Sequence, residues 1–212
     1  MNTVQTAPRR GLLEEIGNAI THGVGSIFAV VAFILMIVKS KSNIQTISAC
    51  IYFVGMFLMF TMSCLYHAFK TDSKVKRLFR RFDYLSIYLL IGATYTPILL
   101  CFAGETFGVV MCIIQWLIIA FGVTMISVFG PNKLKWIHFA LYIILGWSGI
   151  IFFHKMIEDL IFFILILGGG ILYTSGIIPF KMNKKVAHFI WHFFVLFGTV
   201  VQWIGIFITI YL

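Results

Sequence analysis

Charged side chains are scarce in this sequence. Only 11% of its 212 residues are Asp, Glu, Lys or Arg, whereas 61% are hydrophobic. Soluble domains contain about 25% charged and roughly 45–50% apolar residues, so too few polar side chains are present here to cover a water-exposed surface. The composition therefore excludes large soluble catalytic, nucleic-acid-binding or receptor domains, and it predicts a membrane protein.

Cysteine is also sparse and shows no metal-binding or disulfide pattern. The four cysteines, Cys50, Cys64, Cys101 and Cys112, lie inside apolar segments and include no C-x-x-C pair. Neither a disulfide framework nor a thiolate metal site is indicated, and we expect these side chains to be buried and unreactive.

Acidic residues are few as well, and the excess of basic residues needs an explanation. Seven acidic residues stand against 16 Lys and Arg, which gives a net charge of +9. In a chain this apolar, basic residues belong in the loops, where they set orientation and attract anionic lipid headgroups. We apply this interpretation to the basic run from Lys70 to Arg81 and expect membrane lipids, not nucleic acid, as partners.

The apolar residues form long segments. A spanning helix needs about 20 of them, and charged residues and turn formers delimit seven such segments: 19–38, 46–67, 83–102, 107–130, 135–153, 160–179 and 187–210. Helices are predicted because a barrel strand would be about ten residues long with alternating hydrophobicity. No cleavage site of the A-x-A type follows the first segment, so we expect it to remain as a span. The expected fold is all-α, with residues 1–212 forming a single seven-helix transmembrane domain and residues 1–18 a short cytoplasmic N-terminal segment.

The distribution of basic residues predicts the orientation. Alternate connections carry 13 Lys and Arg on one side and 3 on the other. By the positive-inside rule the N-terminus is cytoplasmic and the C-terminus lies outside. G-protein-coupled receptors have the opposite orientation, so seven spans alone do not indicate such a receptor.

Four ionisable residues are predicted at one membrane face. His67 ends the second segment, Asp83 begins the third, and His188 and His192 begin the seventh. The parity of the spans places all four at the same face, which is cytoplasmic if the orientation is right. Ionisable residues within spans are costly and therefore indicate function.

The spacing of these residues suits a metal ion. His188 and His192 are one helical turn apart, and Ser63 and His67 repeat that spacing on the second helix. Three neutral histidines with a water in the fourth position form a catalytic zinc site. The sequence contains neither a set of thiolate ligands nor an obvious set of oxygen ligands for Ca²⁺, so Zn²⁺ is the expected metal.

The alternative is that each histidine lies in the interface and binds water or lipid phosphate. Three histidines and Asp83 at one depth favour a shared site, whereas His138 and His154 lack a partner in register and fit the interfacial interpretation.

Several motifs occur together in a recognisable order. The first helix contains EIGNAITH (15–22), the second ends in SCLYH (63–67), and the third reads DYLSIYLLIGATYTP (83–97). Gly146 and Trp147 follow in the fifth, GGGILYTSG (168–176) in the sixth and HFIWHFFVLFG (188–198) in the seventh. From residue 14 to residue 203, this order resembles the hemolysin III family, the bacterial branch of the progestin and adipoQ receptor family.

The resemblance implies a seven-helix protein with an intramembrane zinc site near the cytoplasmic face. It implies His67, His188 and His192 as ligands, with Asp83 and Ser63 beside the metal-bound water. The wider superfamily includes alkaline ceramidases and is proposed to hydrolyse lipid amides or esters. In one departure, Gln202 stands where many bacterial relatives have another histidine. The roles of Gln202 and His22 stay open.

Two classes of function therefore remain. In the first, the protein is a zinc-dependent lipid amidohydrolase or esterase of the cell membrane, or a regulator of membrane lipid homeostasis. Asp83 would then orient or deprotonate the water, and Ser63 would help to polarise the scissile carbonyl. In the second, it is not an enzyme and acts in cytolysis or as a sensor with a structural zinc. The sequence predicts neither the substrate nor the oligomeric state.

Overall fold

The chain folds into consecutive helices that cross one another as a bundle. The structure is a computed structural model that describes residues 10–182 and 184–212. Within these residues it contains no strand, and seven helical spans are long and apolar enough to cross a membrane. The prediction of an all-α protein with seven transmembrane helices is confirmed. The α-helices are α1 (Leu12–Lys39), α2 (Asn43–Ala68), α3 (Lys74–Pro97), α4 (Glu105–Phe129), α5 (Lys135–Gly146), α6 (Phe153–Met156), α7 (Leu160–Lys181) and α8 (Ala187–Ile206).

Shorter turns complete three of the spans. A π-helical turn, Ile98–Ala103, extends α3, and another, Phe207–Tyr211, extends α8. The fifth span consists of α5, the 3₁₀ turn Ser148–Phe152 and α6.

Two helices, α1 and α3, begin about two turns or more before the predicted segments. The first helix starts at Leu12, inside the predicted N-terminal segment, of which residues 1–9 lie outside the described residues. The third starts at Lys74, more than two turns before Asp83, because the Ser73 hydroxyl caps it by accepting a hydrogen bond from the Lys76 N–H at 3.0 Å. Most of the basic run is therefore helical, and Asp83 lies inside α3.

The packing order brings the first and the last helix together. Helix α2 packs closely against α1 and α3, α7 packs against α8, and α8 closes the bundle against α1. A core of buried apolar side chains, including Ala29, Met56, Phe60 and Val195, lies between these helices. Helices α4 and α5 both pack against α3.

The predicted fifth segment is interrupted in its middle. The Tyr95 hydroxyl donates to the carbonyl oxygen of Gly146 at 2.6 Å and accepts from the N–H of Gly149 at 3.1 Å. The side chain thus satisfies backbone groups that the break after α5 releases from the helix.

The four cysteines are free, but their burial differs from the prediction. Cys112 is buried, Cys64 and Cys101 are half-buried, and Cys50 is exposed on the outside of the bundle. The expectation of burial is wrong for Cys50, because an apolar segment does not show which helix face points toward lipid.

Candidate metal centre

Three histidines from two helices converge at one end of the bundle. His67 lies in the last turn of α2, and His188 and His192 lie in the first two turns of α8. One ring nitrogen of each lies within 4.8 Å of the others. His67 and His192 are buried, and His188 is half-buried.

The donor set fits a zinc ion. The Nε2 atoms of His188 and His192 are 3.3 Å apart, close to the ~3.4 Å that two ligands have on a tetrahedral ion with Zn–N bonds of about 2.0–2.1 Å. Nε2 of His67 is buried without a hydrogen-bond partner among the described residues. Buried polar atoms are rarely left unpaired, and an ion at the centre of the group would bind this nitrogen.

A carboxylate holds the ring of His67. Glu15, in the first turn of α1, lies with Oε2 at 2.6 Å from His67 Nδ1, and Asn18 Nδ2 lies 3.3 Å from the same nitrogen. A hydrogen bond from Nδ1–H to a carboxylate leaves Nε2 as the free ligand atom, which is the usual arrangement around a metal-bound histidine. Glu15 and Asn18 belong to the EIGNAITH motif, but the sequence interpretation gave them no role.

His22 of α1 lies against the histidine group without joining it. Its ring stacks on that of His192, with centroids 3.8 Å apart and planes 25° apart, and meets Phe60 edge-on. The lone pair of an imidazole nitrogen lies in the ring plane, so two nearly parallel rings do not converge on one ion. His22 is buried, with neither ring nitrogen hydrogen-bonded to any described residue.

Asp83 and Ser63 lie beside the histidines in a common cavity. Ser63, one turn before His67 on α2, interacts with the Asp83 carboxyl group on α3. Both residues, with His188 and His192, line a cavity of about 370 Å³. The predicted site residues Asp83 and Ser63 thus reach the neighbourhood of the histidines, although Asp83 is not part of the three-histidine group.

The cavity continues along α8 from the histidines to Gln202. This stretch of helix is about 21 Å long at 1.5 Å per residue. Most of the wall is apolar or aromatic, including Leu90, Ile91, Tyr173 and Trp191. The site therefore combines a polar end with a long apolar compartment.

Gln202 itself has a packing role. Its side-chain amide donates to the carbonyl oxygen of Ile166 at 3.2 Å, and its Cγ lies 2.3 Å from the position that a Cβ on Gly169 would take. The residue thus fixes α8 against α7.

The two remaining histidines differ from each other. His154 is exposed, as an interfacial side chain would be. His138 is buried, lines the cavity and forms a 2.9 Å hydrogen bond with the Tyr88 hydroxyl. The interfacial interpretation is wrong for His138, whose partner lies on another helix and cannot be identified from spacing within its own segment.

Comparison with known proteins identifies relatives along nearly the whole chain. The family model described as Haemolysin-III related matches residues 10–203. "Hemolysin-3" of Bacillus cereus is 38% identical over 192 residues, which cover 88% of this chain and 87% of that protein. "Hemolysin-3 homolog" of Bacillus subtilis (strain 168) is 35% identical over 193 residues, 88% of this chain and 89% of the relative. "Monocyte to macrophage differentiation factor" of Homo sapiens is 26% identical over 211 residues, 93% of this chain and 85% of that protein. These matches confirm the resemblance expected from the motifs.

Proposed function

The chain belongs to the haemolysin-III related family, and we propose that it is a multi-pass zinc protein of the cell membrane that hydrolyses lipid amides or esters, or regulates membrane lipid homeostasis through that reaction. One observation carries the proposal. His67, His188 and His192 form a group that could hold a metal ion, and the last two also line a cavity shared with Ser63 and Asp83.

The choice of zinc rests on the chemistry of the ligands. Three imidazoles without a thiolate suit zinc better than calcium or magnesium, which prefer oxygen ligands. Three protein ligands leave a fourth position for water or substrate, whereas most structural zinc sites have four protein ligands.

Bound zinc supplies a Lewis acid and a water molecule whose pKa is near 7. We assign Asp83 as the general base that orients this water and accepts its proton. The Ser63 hydroxyl has one hydrogen, and we infer that it turns from the Asp83 carboxyl group to the scissile carbonyl oxygen when the substrate binds. In the hydrolysis that this site would support, water would add to the carbonyl carbon as the C–N or C–O bond breaks, and Asp83 would pass the proton it has accepted to the leaving amine or alcohol.

A lipid substrate fits the walls and surroundings of the cavity. Side chains of both α5 and α7, among them Phe139, Tyr142, Tyr173 and Ile177, line it. Helix α5 packs mainly against α3, and α7 packs mainly against α8. The two helices meet each other where the Trp147 indole donates to Thr174 Oγ1 at 3.1 Å and where Lys181 lies over the Phe139 ring. We infer that a lipid enters laterally between α5 and α7 and places its carbonyl group at the histidines and its chain along α8.

Cytolysis is the second candidate function. It is favoured by the name of the Bacillus cereus relative, "Hemolysin-3". A secreted pore former should be soluble before it inserts, and seven apolar spans argue against such a soluble form. A sensor with a structural zinc would keep the same three ligands but would not need Asp83.

Asp83→Asn separates these functions. In a hydrolase, the purified variant keeps zinc and the fold because the side chain is isosteric, but its activity falls by about 10²–10⁴-fold because an amide is not a general base. The measurement is fatty acid release from a panel of ceramides and phospholipids, with zinc determined in parallel.

The matched control is Asp72→Asn. Asp72 is exposed and has a left-handed φ of 66°, which Asn tolerates. The activity of the Asp72→Asn variant should therefore equal that of the wild type. Full activity in zinc-loaded Asp83→Asn would remove Asp83 from the mechanism. Failure of the zinc-loaded wild type to hydrolyse any lipid in the panel would favour the non-catalytic function.

A further inference from the structure

Two residues of the basic run, Arg80 and Lys76, are buried, and Lys76 is the more deeply buried of the two. Lys76 has 0% exposure, whereas Lys74, half a turn earlier on α3, is exposed. A lysine is almost never fully buried unless it is paired, so Lys76 is neither a simple orientation signal nor a contact for lipid headgroups. Its partners indicate its role.

The ammonium group of Lys76 lies at the end of α2. Nζ donates hydrogen bonds to the carbonyl oxygens of His67 at 3.4 Å and Phe69 at 3.1 Å, and it lies 4.9 Å from the centre of the Tyr66 ring. The last carbonyl groups of a helix lack intrahelical partners and carry partial negative charge. Lys76 therefore fixes the backbone turn from which His67 projects.

The same ammonium group also reaches the carboxylate that holds the His67 ring. Nζ lies 3.1 Å from Oε1 of Glu15, while Oε2 of Glu15 lies 2.6 Å from His67 Nδ1. Glu15 is itself buried, with 6% exposure. One continuous chain of contacts, Lys76 to Glu15 to His67, joins the first turns of α3 and α1 to the last turn of α2.

We propose that Glu15 and Lys76 are positioning residues for the metal ligand His67. Glu15 fixes the tautomer and rotation of the imidazole, so that Nε2 faces the ion. Lys76 holds Glu15 in place and secures the end of α2. This inference rests on the zinc site of the proposed function but not on hydrolysis, and it predicts that zinc affinity depends on two residues that do not touch the ion.

Zinc affinity of the purified full-length protein tests the proposal, measured by competition with a chromophoric chelator. Loss of a hydrogen-bond partner of a metal ligand typically weakens binding by about 10–100-fold. We expect Glu15→Gln and Lys76→Met each to fall in that range. The matched controls are Glu14→Gln, next to Glu15 in the sequence, and Lys74→Met, and both should bind zinc within about twofold of the wild type.

A double variant keeps the test available if a single variant fails to fold. Removing one partner of a buried ion pair leaves an unpaired charge, whereas removing both does not. Glu15→Gln/Lys76→Met should therefore fold, as judged by melting at saturating zinc, and still bind zinc at least tenfold more weakly than the wild type. The fold loss of zinc affinity in the double variant should be smaller than the product of the two single-variant losses, because both residues act through His67.

A spectroscopic measurement separates positioning from general stability. The visible absorption of the Co²⁺-loaded protein reports the coordination geometry, and it should change in Glu15→Gln but not in Glu14→Gln. Wild-type zinc affinity and an unchanged Co²⁺ spectrum in Glu15→Gln and in the double variant would overturn the inference. Failure of the wild type to bind zinc at all would instead overturn the proposed zinc site.

Discussion

The four histidines near the metal centre differ in how they are held. His67 contacts a carboxylate through Nδ1, whereas His188 and His192 lie one turn apart and approach each other through Nε2. His22 stacks on His192 and contributes a ring face to the site. Residue type therefore does not distinguish the three proposed ligands from His22, but ring orientation does.

Zinc content should depend on the histidines whose ring nitrogens converge and not on His22. Replacing His67, His188 or His192 by Ala leaves two imidazoles at a site that needs three, and it should weaken zinc binding by more than the ~100-fold upper range for lost hydrogen-bond partners. His22→Phe keeps the stacking and should retain about one zinc per chain. The measurement is metal analysis of detergent-purified protein.

Two outcomes would contradict this assignment. Equal zinc content in the three Ala variants and the wild type would exclude the site, and loss of zinc in His22→Phe would make His22 a ligand. His154→Ala is the appropriate neutral control, since His154 is exposed. His138 is unsuitable because its bond to Tyr88 gives it a structural role.

The sequence could predict the histidine group because spacing and parity are properties of single helices. A separation of four residues places His188 and His192 on one face, and counting the spans brings His67 to the same end. The contact between Glu15 and His67 depends on the rotation of α1 against α2, which no spacing within one segment reveals. Lys76 was interpreted like its basic neighbours because a run of charges does not show which member faces inward.

The sequence predicts a helix boundary well where the helix ends together with its apolar segment. It predicts the boundary poorly where the helix also includes charged residues beyond that segment. The predicted end of the second segment, residue 67, agrees closely with the end of α2 at Ala68. Helix α3 continues into the basic run, since its first turns need no apolar residues once Ser73 caps them. The break in the fifth span depends on Tyr95, which lies in another span.

The close approach of α2 and α3 holds Ser63 and His67 opposite Asp83 and Lys76. It occurs at Gly55, where a Cβ would lie 2.2 Å from the Cβ of Ala93 and 2.8 Å from the carbonyl oxygen of Leu89. Neither atom belongs to the flexible end of a side chain, so the helices would have to separate to accept a methyl group.

Gly55→Ala should therefore destabilise the protein by about 1–3 kcal/mol, the usual cost of overpacking. Gly168→Ala on α7 is the matched control, because the nearest atom to its Cβ would be Val201 Cγ1 at 3.8 Å. That control should be neutral or stabilise by up to ~1 kcal/mol through helix propensity. Thermal unfolding in detergent measures both, and an unchanged melting temperature for Gly55→Ala would contradict this packing.

In the whole molecule, the site and the basic residues lie at the same end. The histidine group lies at the end of α2 and the start of α8, next to the connections that carry most of the Lys and Arg residues. If those connections are cytoplasmic, the site opens toward the inner leaflet, and a lipid entering between α5 and α7 comes from that leaflet. For the proposed lipid hydrolase, the orientation of the bundle would therefore determine which leaflet supplies the substrate.

Single-cysteine labelling tests the orientation. The four native cysteines are first replaced by Ala, and one cysteine is then introduced either at Thr71, between α2 and α3, or at Glu158, between α6 and α7. The 13 to 3 division of Lys and Arg predicts that Thr71 is cytoplasmic and Glu158 external. A membrane-impermeant maleimide added to intact cells should therefore label Glu158→Cys and leave Thr71→Cys unlabelled until the cells are lysed. The reverse pattern would invert the bundle, move the metal site to the outer face and require a substrate from the outer leaflet.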